Sequence, residues 1–242
     1  LVVDLLNRDA VRCIIEQVKP DAIINAAGVV DPNGPVMDNV GYSKNILDGV
    51  VESGLELKRI IITGSAGEYG NVLPGEYPIS EDVPLRAEAG YGFSKKIEEE
   101  TALGYISSDN LPVVVARIFN PIGPNMADKF LVMKLKAQIN EYIAGSRLDI
   151  ELSRKDSMRD YVAVDDIATA FRVLLEGNPK YSVYNVGSGR ATSNGELVKL
   201  LLRSSKIVDE PKITEMREDP EPLVASQADI TRISSEFSWR PQ

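Results

Sequence analysis

Three side chains of this sequence, Ser65, Tyr91 and Lys95, have the types and spacing needed for redox chemistry at a carbinol or ketone. Tyr91 and Lys95 stand four residues apart, which on a helix places them one turn apart on one face, ammonium beside phenol. A fixed cation there favours phenolate. It draws the tyrosine down from its ordinary value of about 10 toward neutral pH, where a general acid/base is most effective. Ser65 would hold the reacting oxygen. Taken singly, each residue has a plain structural reading: a half-buried helix aromatic, a surface helix charge, a turn serine. Together, at a strand end and a helix start, they point to an enzyme.

The elements that must position this set can be read from residue periodicity. Short β-branched runs at 21–26 (DAIINA), 59–63 (RIIIT) and 112–118 (PVVVARI) predict strands buried on both faces. Between them, 8–18, 37–54 and 92–106 carry apolar residues at helical spacing, with Gly54 placed as a C-terminal stop. A β-α-β-α-β order implies an α/β fold with a parallel doubly wound sheet, which binds ligands at the carboxyl ends of its strands. Asn25-Ala26-Ala27-Gly28, Thr63-Gly64-Ser65 and Phe119-Asn120-Pro121 all fall at such ends. After Asn120 the texture changes, and a smaller α/β lobe is expected. It should hold a helix at 129–144, and a loop of ordered charge near 215–222. A helix at 164–175 capped by Asp165 and a strand at 182–186 return to the first sheet. Ser193 and Glu196 have the spacing of a capping box before the apolar run 197–202. The division predicted is 1–118 with about 160–187 for one domain, and about 119–159 with 188–242 for the other.

Composition narrows the chemistry. The 242 residues, 43% hydrophobic and 26% charged, suit a globular protein. No stretch approaches the roughly 18 apolar residues of a membrane span, and no basic start leads into an apolar run. A cytoplasmic protein is expected. A net charge of −9 disfavours nucleic acid and anionic lipid as partners. The absence of histidine removes the Ser-His-Asp triad and the commonest transition-metal ligand together, so hydrolase and metal readings fall away. Cys13, the single cysteine, allows no internal disulfide and is expected to be a buried structural thiol.

The landmarks of the chain, in order, are Asp4-Leu5, Asn25-Ala26-Ala27-Gly28, Asn39-Val40-Gly41, Ser65 with Tyr69-Gly70, Tyr91 with Lys95, RIFNPIG from Arg117, Arg159-Asp160-Tyr161-Val162, Tyr184-Asn185-Val186-Gly187 and Trp239-Arg240-Pro241. Nearly end to end, this series resembles the extended short-chain dehydrogenase/reductases that modify nucleotide-linked sugars. The resemblance implies a Rossmann-like fold, NAD or NADP as cofactor, a nucleotide-sugar substrate and a homodimer built from the helices at 37–54 and 92–106. Such enzymes open with a strand and a Gly-x-x-Gly-x-x-Gly turn against which the cofactor pyrophosphate rests. Residues 1–242 contain no such turn, so the expectation is an N-terminally incomplete dinucleotide-binding domain, short by about 50 to 60 residues.

Position by position, the resemblance implies that Asp4 and Leu5 meet the adenine and that Ala26, Ala27 and Gly28 lie beside the dinucleotide. It places Lys95 on the nicotinamide ribose as well as beside Tyr91, and Phe119 by the nicotinamide. Asn120, Arg159 and Arg217 are implied on the substrate's phosphates, where guanidinium suits diphosphate. The bland alternative for Asp4 is a helix N-cap, and for the arginines a solvated charge. Related dehydratases carry Thr-Asp-Glu where this chain has Ser65-Ala66-Gly67, which argues against elimination of water. A 4-epimerase and a 4-keto reductase both remain. The stretch GSAGEYG from Gly64 looks most like the 4-keto-6-deoxy sugar reductases, including those acting on GDP-linked mannose derivatives. A non-catalytic dinucleotide-binding module is the alternative from another class, and it predicts a broken Ser/Tyr/Lys set, which this sequence does not have.

Overall fold

Ile60, Ile61 and Ile62 set the layering, because successive side chains of a strand point to opposite faces. In the structure, a computed structural model describing residues 2–31, 33–207, 211–215 and 226–242, these isoleucines are buried on both sides of a parallel sheet. The sheet runs in the order β1 (Ala22–Asn25), β2 (Arg59–Ser65), β3 (Val113–Ile118) and β7 (Val183–Val186). Ser65 is paired with Ile118 and Ile118 with Val186, so β2, β3 and β7 end level, while β1 ends at Asn25 opposite Ile62, three residues earlier.

Helices cover both faces. Ile60, Ile62, Val113 and Val115 pack with α1 (Arg8–Val18), α2 (Asp38–Ser53) and α3 (Gly90–Asp109). Ile61, Val114 and Ala116 pack with α5 (Val164–Glu176), with Ile233 of α7 (Thr231–Phe237) and with Trp239. Of the three strands predicted to be buried on both faces, β3 is buried at every position. β1 is not. Its Ile24 is 42% exposed, because α5 and α7 lie over β2, β3 and β7 and do not reach it.

Among the described residues, two smaller sheets accompany the first. β4 (Asn120–Ile122) runs parallel to β6 (Met158–Ala163), which is antiparallel to β8 (Ala191–Ser193). β5 (Asp149–Leu152) pairs with β9 (Lys212–Glu215), and this pair buries Ile150 and Leu152 against α4 (Leu131–Ile143) and α6 (Asn194–Ser204). Ser193 and Glu196 form the expected capping box of α6, and Gly54 ends α2 in the left-handed conformation. Asp165 is not the cap of α5. That place belongs to Ala163, and Asp165 lies in the first turn, where its charge complements the helix dipole. Cys13 is exposed and not buried, since Val11 and Ile15 are the residues that α1 turns inward.

Candidate active site

Ser65 ends β2 and caps the 3-10 turn formed by Ala66–Tyr69. Its Oγ accepts from the Gly67 backbone N–H at 3.1 Å, while its own N–H is taken by the Glu68 carboxylate, a reciprocal capping box. Tyr91 stands at the start of α3 directly against this turn. A Cβ added at Gly92 would lie 2.3 Å from the Gly67 carbonyl oxygen, so the helix can approach this closely only because Gly92 has no side chain. The turn and the helix thereby bring Ser65 and Tyr91 within hydrogen-bonding reach.

The charges differ from the expectation of an ammonium lowering the tyrosine. Burial is the main influence on Tyr91 and pushes its phenol up to about 12; the bond from Ser65 works against this, and the charges of Glu98 and Glu68 add to it. The Lys95 ammonium is bound to Glu98, one turn further along α3. The spacing that puts Lys95 on the face of Tyr91 also puts Glu98 there, and the lysine's nearest charge is a carboxylate.

Polar contacts tie the neighbouring strand end to this helix. Asn25 at the end of β1 accepts from Ala27 N–H at 3.1 Å and donates to Ser43 Oγ at 2.8 Å. Asn39 accepts from Val29 N–H at 2.7 Å and donates to the Val29 carbonyl and to Ser94 Oγ. Ser94 in turn donates to the Tyr91 carbonyl. The turn at Ala26, Ala27 and Gly28 is thus held open to solvent at the same sheet edge as Ser65 and Tyr91.

Beneath the site lies a buried ionic group. Arg117 makes a two-pronged contact with Glu99, Nε to Oε2 at 2.8 Å and Nη2 to Oε1 at 2.5 Å, and approaches Glu68 Oε2 at 3.7 Å. It also donates to the Tyr69 hydroxyl at 2.9 Å. Burial, reinforced by the charge of Glu99, raises the Glu68 carboxyl well above the usual carboxylate range. Tyr69, itself pushed up to about 12 by burial, donates a hydrogen bond to Asn185 Oδ1 at 2.6 Å.

The other predicted positions are spread around this centre. Asp4 is exposed and accepts from Leu6 N–H at 2.9 Å; it does not cap α1, whose N-cap is Asn7. Leu5 is partly buried against the α1 and α2 core. Phe119 is buried with its ring 6.3 Å from that of Tyr69, so it presents almost no surface. Asn120 donates to the Asp160 carbonyl at 3.0 Å. Arg159, on the strand beside it, makes no ion pair among the described residues. Arg217 lies outside the described residues.

Residues 1–187 match the sequence profile described as the NAD dependent epimerase/dehydratase family. The chain belongs to this family. GDP-6-deoxy-D-mannose reductase of Pseudomonas aeruginosa is 28% identical to it, over 99% of this chain and 81% of the reductase. UDP-glucose 4-epimerase GEPI48 of Cyamopsis tetragonoloba is 29% identical, over 84% of this chain and only 64% of the epimerase. Among solved structures, RMD from Pseudomonas aeruginosa complexed with NADPH superposes with a TM-score of 0.90 at 26% identity, covering 100% of this chain and 82% of its own. The fold is shared with UDP-glucose 4-epimerase from Thermotoga maritima, at a TM-score of 0.84 and 22% identity.

The family is NAD(P)-dependent, and near the exposed turn at 26–28 the chain holds a hydroxyl and a phenol, with the Lys95 ammonium buried against Glu98. Among the described residues there is no acidic or cysteine cluster suited to a metal ion, and no helix long and apolar enough to cross a membrane. Glu68, Glu98 and Arg117 were not predicted as site residues. Helical spacing from Lys95 could have found Glu98, and Arg117 is the one charge in an otherwise apolar strand run.

Proposed function

We propose that this protein is a reductase of nucleotide-linked 4-keto-6-deoxy sugars, of the kind carried on GDP. The observation that carries this reading is the placement of Tyr91 against the Ser65 turn at the carboxyl end of β2, made possible by the close approach of Gly92 to Gly67, in a chain whose likeness to GDP-6-deoxy-D-mannose reductase runs over 99% of its length. In a reductase the phenol serves as proton donor to the oxygen of a ketone.

When bound, the reduced nicotinamide supplies the hydride that goes to C4 of the sugar. Ser65 holds the ketone oxygen by its hydroxyl, whose own lone pair is occupied by Gly67 N–H. Tyr91 gives its proton to that oxygen as the C4–H bond forms, so the carbonyl becomes a hydroxyl and the phenol becomes phenolate. Lys95 would meet the ribose, and Ala26, Ala27 and Gly28 the dinucleotide. Asp4 and Leu5 would take the adenine, with Phe119 near the nicotinamide. Asn120, Arg159 and Arg217 would receive the substrate phosphates. In this reading residues 1–118 with about 160–187 serve the cofactor and the remainder the substrate, and α2 and α3 form a homodimer contact.

The test follows reduced-nicotinamide absorbance in the natural protein with NADPH or NADH and GDP-4-keto-6-deoxymannose. Oxidation that falls by about 10²- to 10⁴-fold in Tyr91→Phe, with cofactor binding intact, is the expected result. Interconversion of UDP-glucose and UDP-galactose without net oxidation would instead establish an epimerase, the activity named in relatives of similar identity.

A further inference from the structure

Lys95 and Glu98 are 3% and 1% exposed, so their ion pair is an interior one with no water to share its charge. An interior pair persists only where further hydrogen bonds complete it. Here a second group does so: Ser43 Oγ, from α2, donates to Glu98 Oε1 at 2.5 Å, and Asn25 Nδ2, at the end of β1, donates to Ser43 Oγ at 2.8 Å. The same Asn25 fixes the turn at Ala27. The chain of contacts therefore runs from the open turn at β1, through α2, to the carboxylate that holds Lys95.

We propose that Glu98 is a positioning residue of this site: its carboxylate, anchored by Ser43, holds the Lys95 ammonium and balances that charge beside the Tyr91 phenol. The proposal rests on the reading of Ser65, Tyr91 and Lys95 as the working set and adds to it the group that governs two of them. The charges that act on Tyr91 are Glu98 from its own helix and Glu68 from the 3-10 turn, with Ser65 as the polar neighbour; Lys95 bears on it through Glu98, to which it is bound. Glu98 is faced by Lys95 and by Ser43. Glu68 is itself held against Glu99 and Arg117 and is common to every variant below. With Glu98 neutral, Lys95 would act on the phenol uncompensated and make it more acidic. With Lys95 removed, Glu98 alone would make it less so.

The experiment titrates Tyr91 directly and needs no turnover. The alkaline near-ultraviolet tyrosinate signal of the natural protein, and of each variant, is corrected by subtracting its own Tyr91→Phe counterpart, which leaves the Tyr91 transition. In Glu98→Gln the midpoint is expected to fall by about one pH unit, in Lys95→Met to rise, and in the double variant to return toward that of the natural protein. A midpoint unchanged in a folded Glu98→Gln protein overturns the proposal. If Glu98→Gln does not fold, Lys95→Met decides alone: a raised midpoint supports the proposal and an unmoved one overturns it. Shifted midpoints in a protein that does not oxidise NADPH would sink the reductase reading and leave Glu98 in its role; turnover with an unmoved midpoint would do the reverse.

Discussion

Arg117 carries more of the site's architecture than its place within a strand suggests. It faces Glu99 with two hydrogen bonds, lies 3.7 Å from Glu68, and holds the Tyr69 hydroxyl and the Glu81 carbonyl. Two carboxyls and one guanidinium in a dry interior leave one negative charge too many, and the raised Glu68 carboxyl answers that excess. Glu68 is also the residue that takes Ser65 N–H, so the ionic group sets the backbone from which the Ser65 hydroxyl projects. Replacing Arg117 by Met would leave Glu68 and Glu99 facing each other without a cation. The expected cost is about 3 to 5 kcal/mol of stability, read by denaturant unfolding. Arg117→Lys should recover only part of it, since an ammonium cannot reproduce the two-pronged contact. Equal stability of Arg117→Met and the natural protein would show that the group is not an ionic one.

At the scale of elements, the site depends on how closely α3 sits on the turn after β2. The contact is backbone on backbone at Gly92 and Gly67. In Gly92→Ala the new methyl would meet the Gly67 carbonyl oxygen at 2.3 Å, and no flexible side chain is there to move aside. The helix must shift, and Tyr91 with it. Helix propensity alone favours alanine by about 1 kcal/mol, so a loss of thermal stability together with a loss of turnover is the result expected from the clash. A gain in stability would show that the helix has room.

The elements themselves were mostly legible in the sequence. Helical spacing gave 8–18 for α1 with the bounds the structure shows, and β-branched runs located β2 and β3. The places of Ser65 at a strand end and of Tyr91 and Lys95 in the first turns of a helix were legible for the same reason, because a strand end and a helix start are local features. What the periodicity could not show was depth. Ile24 reads as core but lies on a strand face that α5 and α7 do not reach, and Cys13 reads as core but falls between the two residues of α1 that turn inward. Charge was the other hidden quantity. Glu98 stands in an acidic run that looks like a solvated helix face, and only packing against Ser43 of α2 turns it into the interior partner of Lys95.

Across the whole molecule, buried glutamates and surface carboxylates pull the pH dependence of stability in opposite directions. Burial raises Glu68, Glu98 and Glu81, in the last two against the pull of Lys95 and Arg232 respectively. In the unfolded chain these groups lose their protons near the ordinary value of about 4.3, so above it the native state holds more protons and stability falls as pH rises toward the folded values. The net charge of −9 adds self-repulsion in the same direction. Glu76 is lowered by its bonds from Arg86, and Glu196 by Ser193. Asp48, though partly buried, is lowered by Lys44 and Tyr105. These groups stabilise the fold above the ordinary carboxylate values, and that contribution is lost as pH falls through their folded ones. The two trends cross in mildly acidic solution, and calorimetry is expected to show Tm highest near about pH 5, declining toward pH 8 and more steeply toward pH 3. Glu68→Gln should flatten the alkaline decline and leave the acid limb in place, because it removes a group that must ionise in the interior and touches none of the three that are lowered. A Tm that stays level from pH 5 to 8 in the natural protein would mean that the glutamates beneath the site ionise there without cost, and that the excess charge around Arg117 is relieved by some route other than a retained proton.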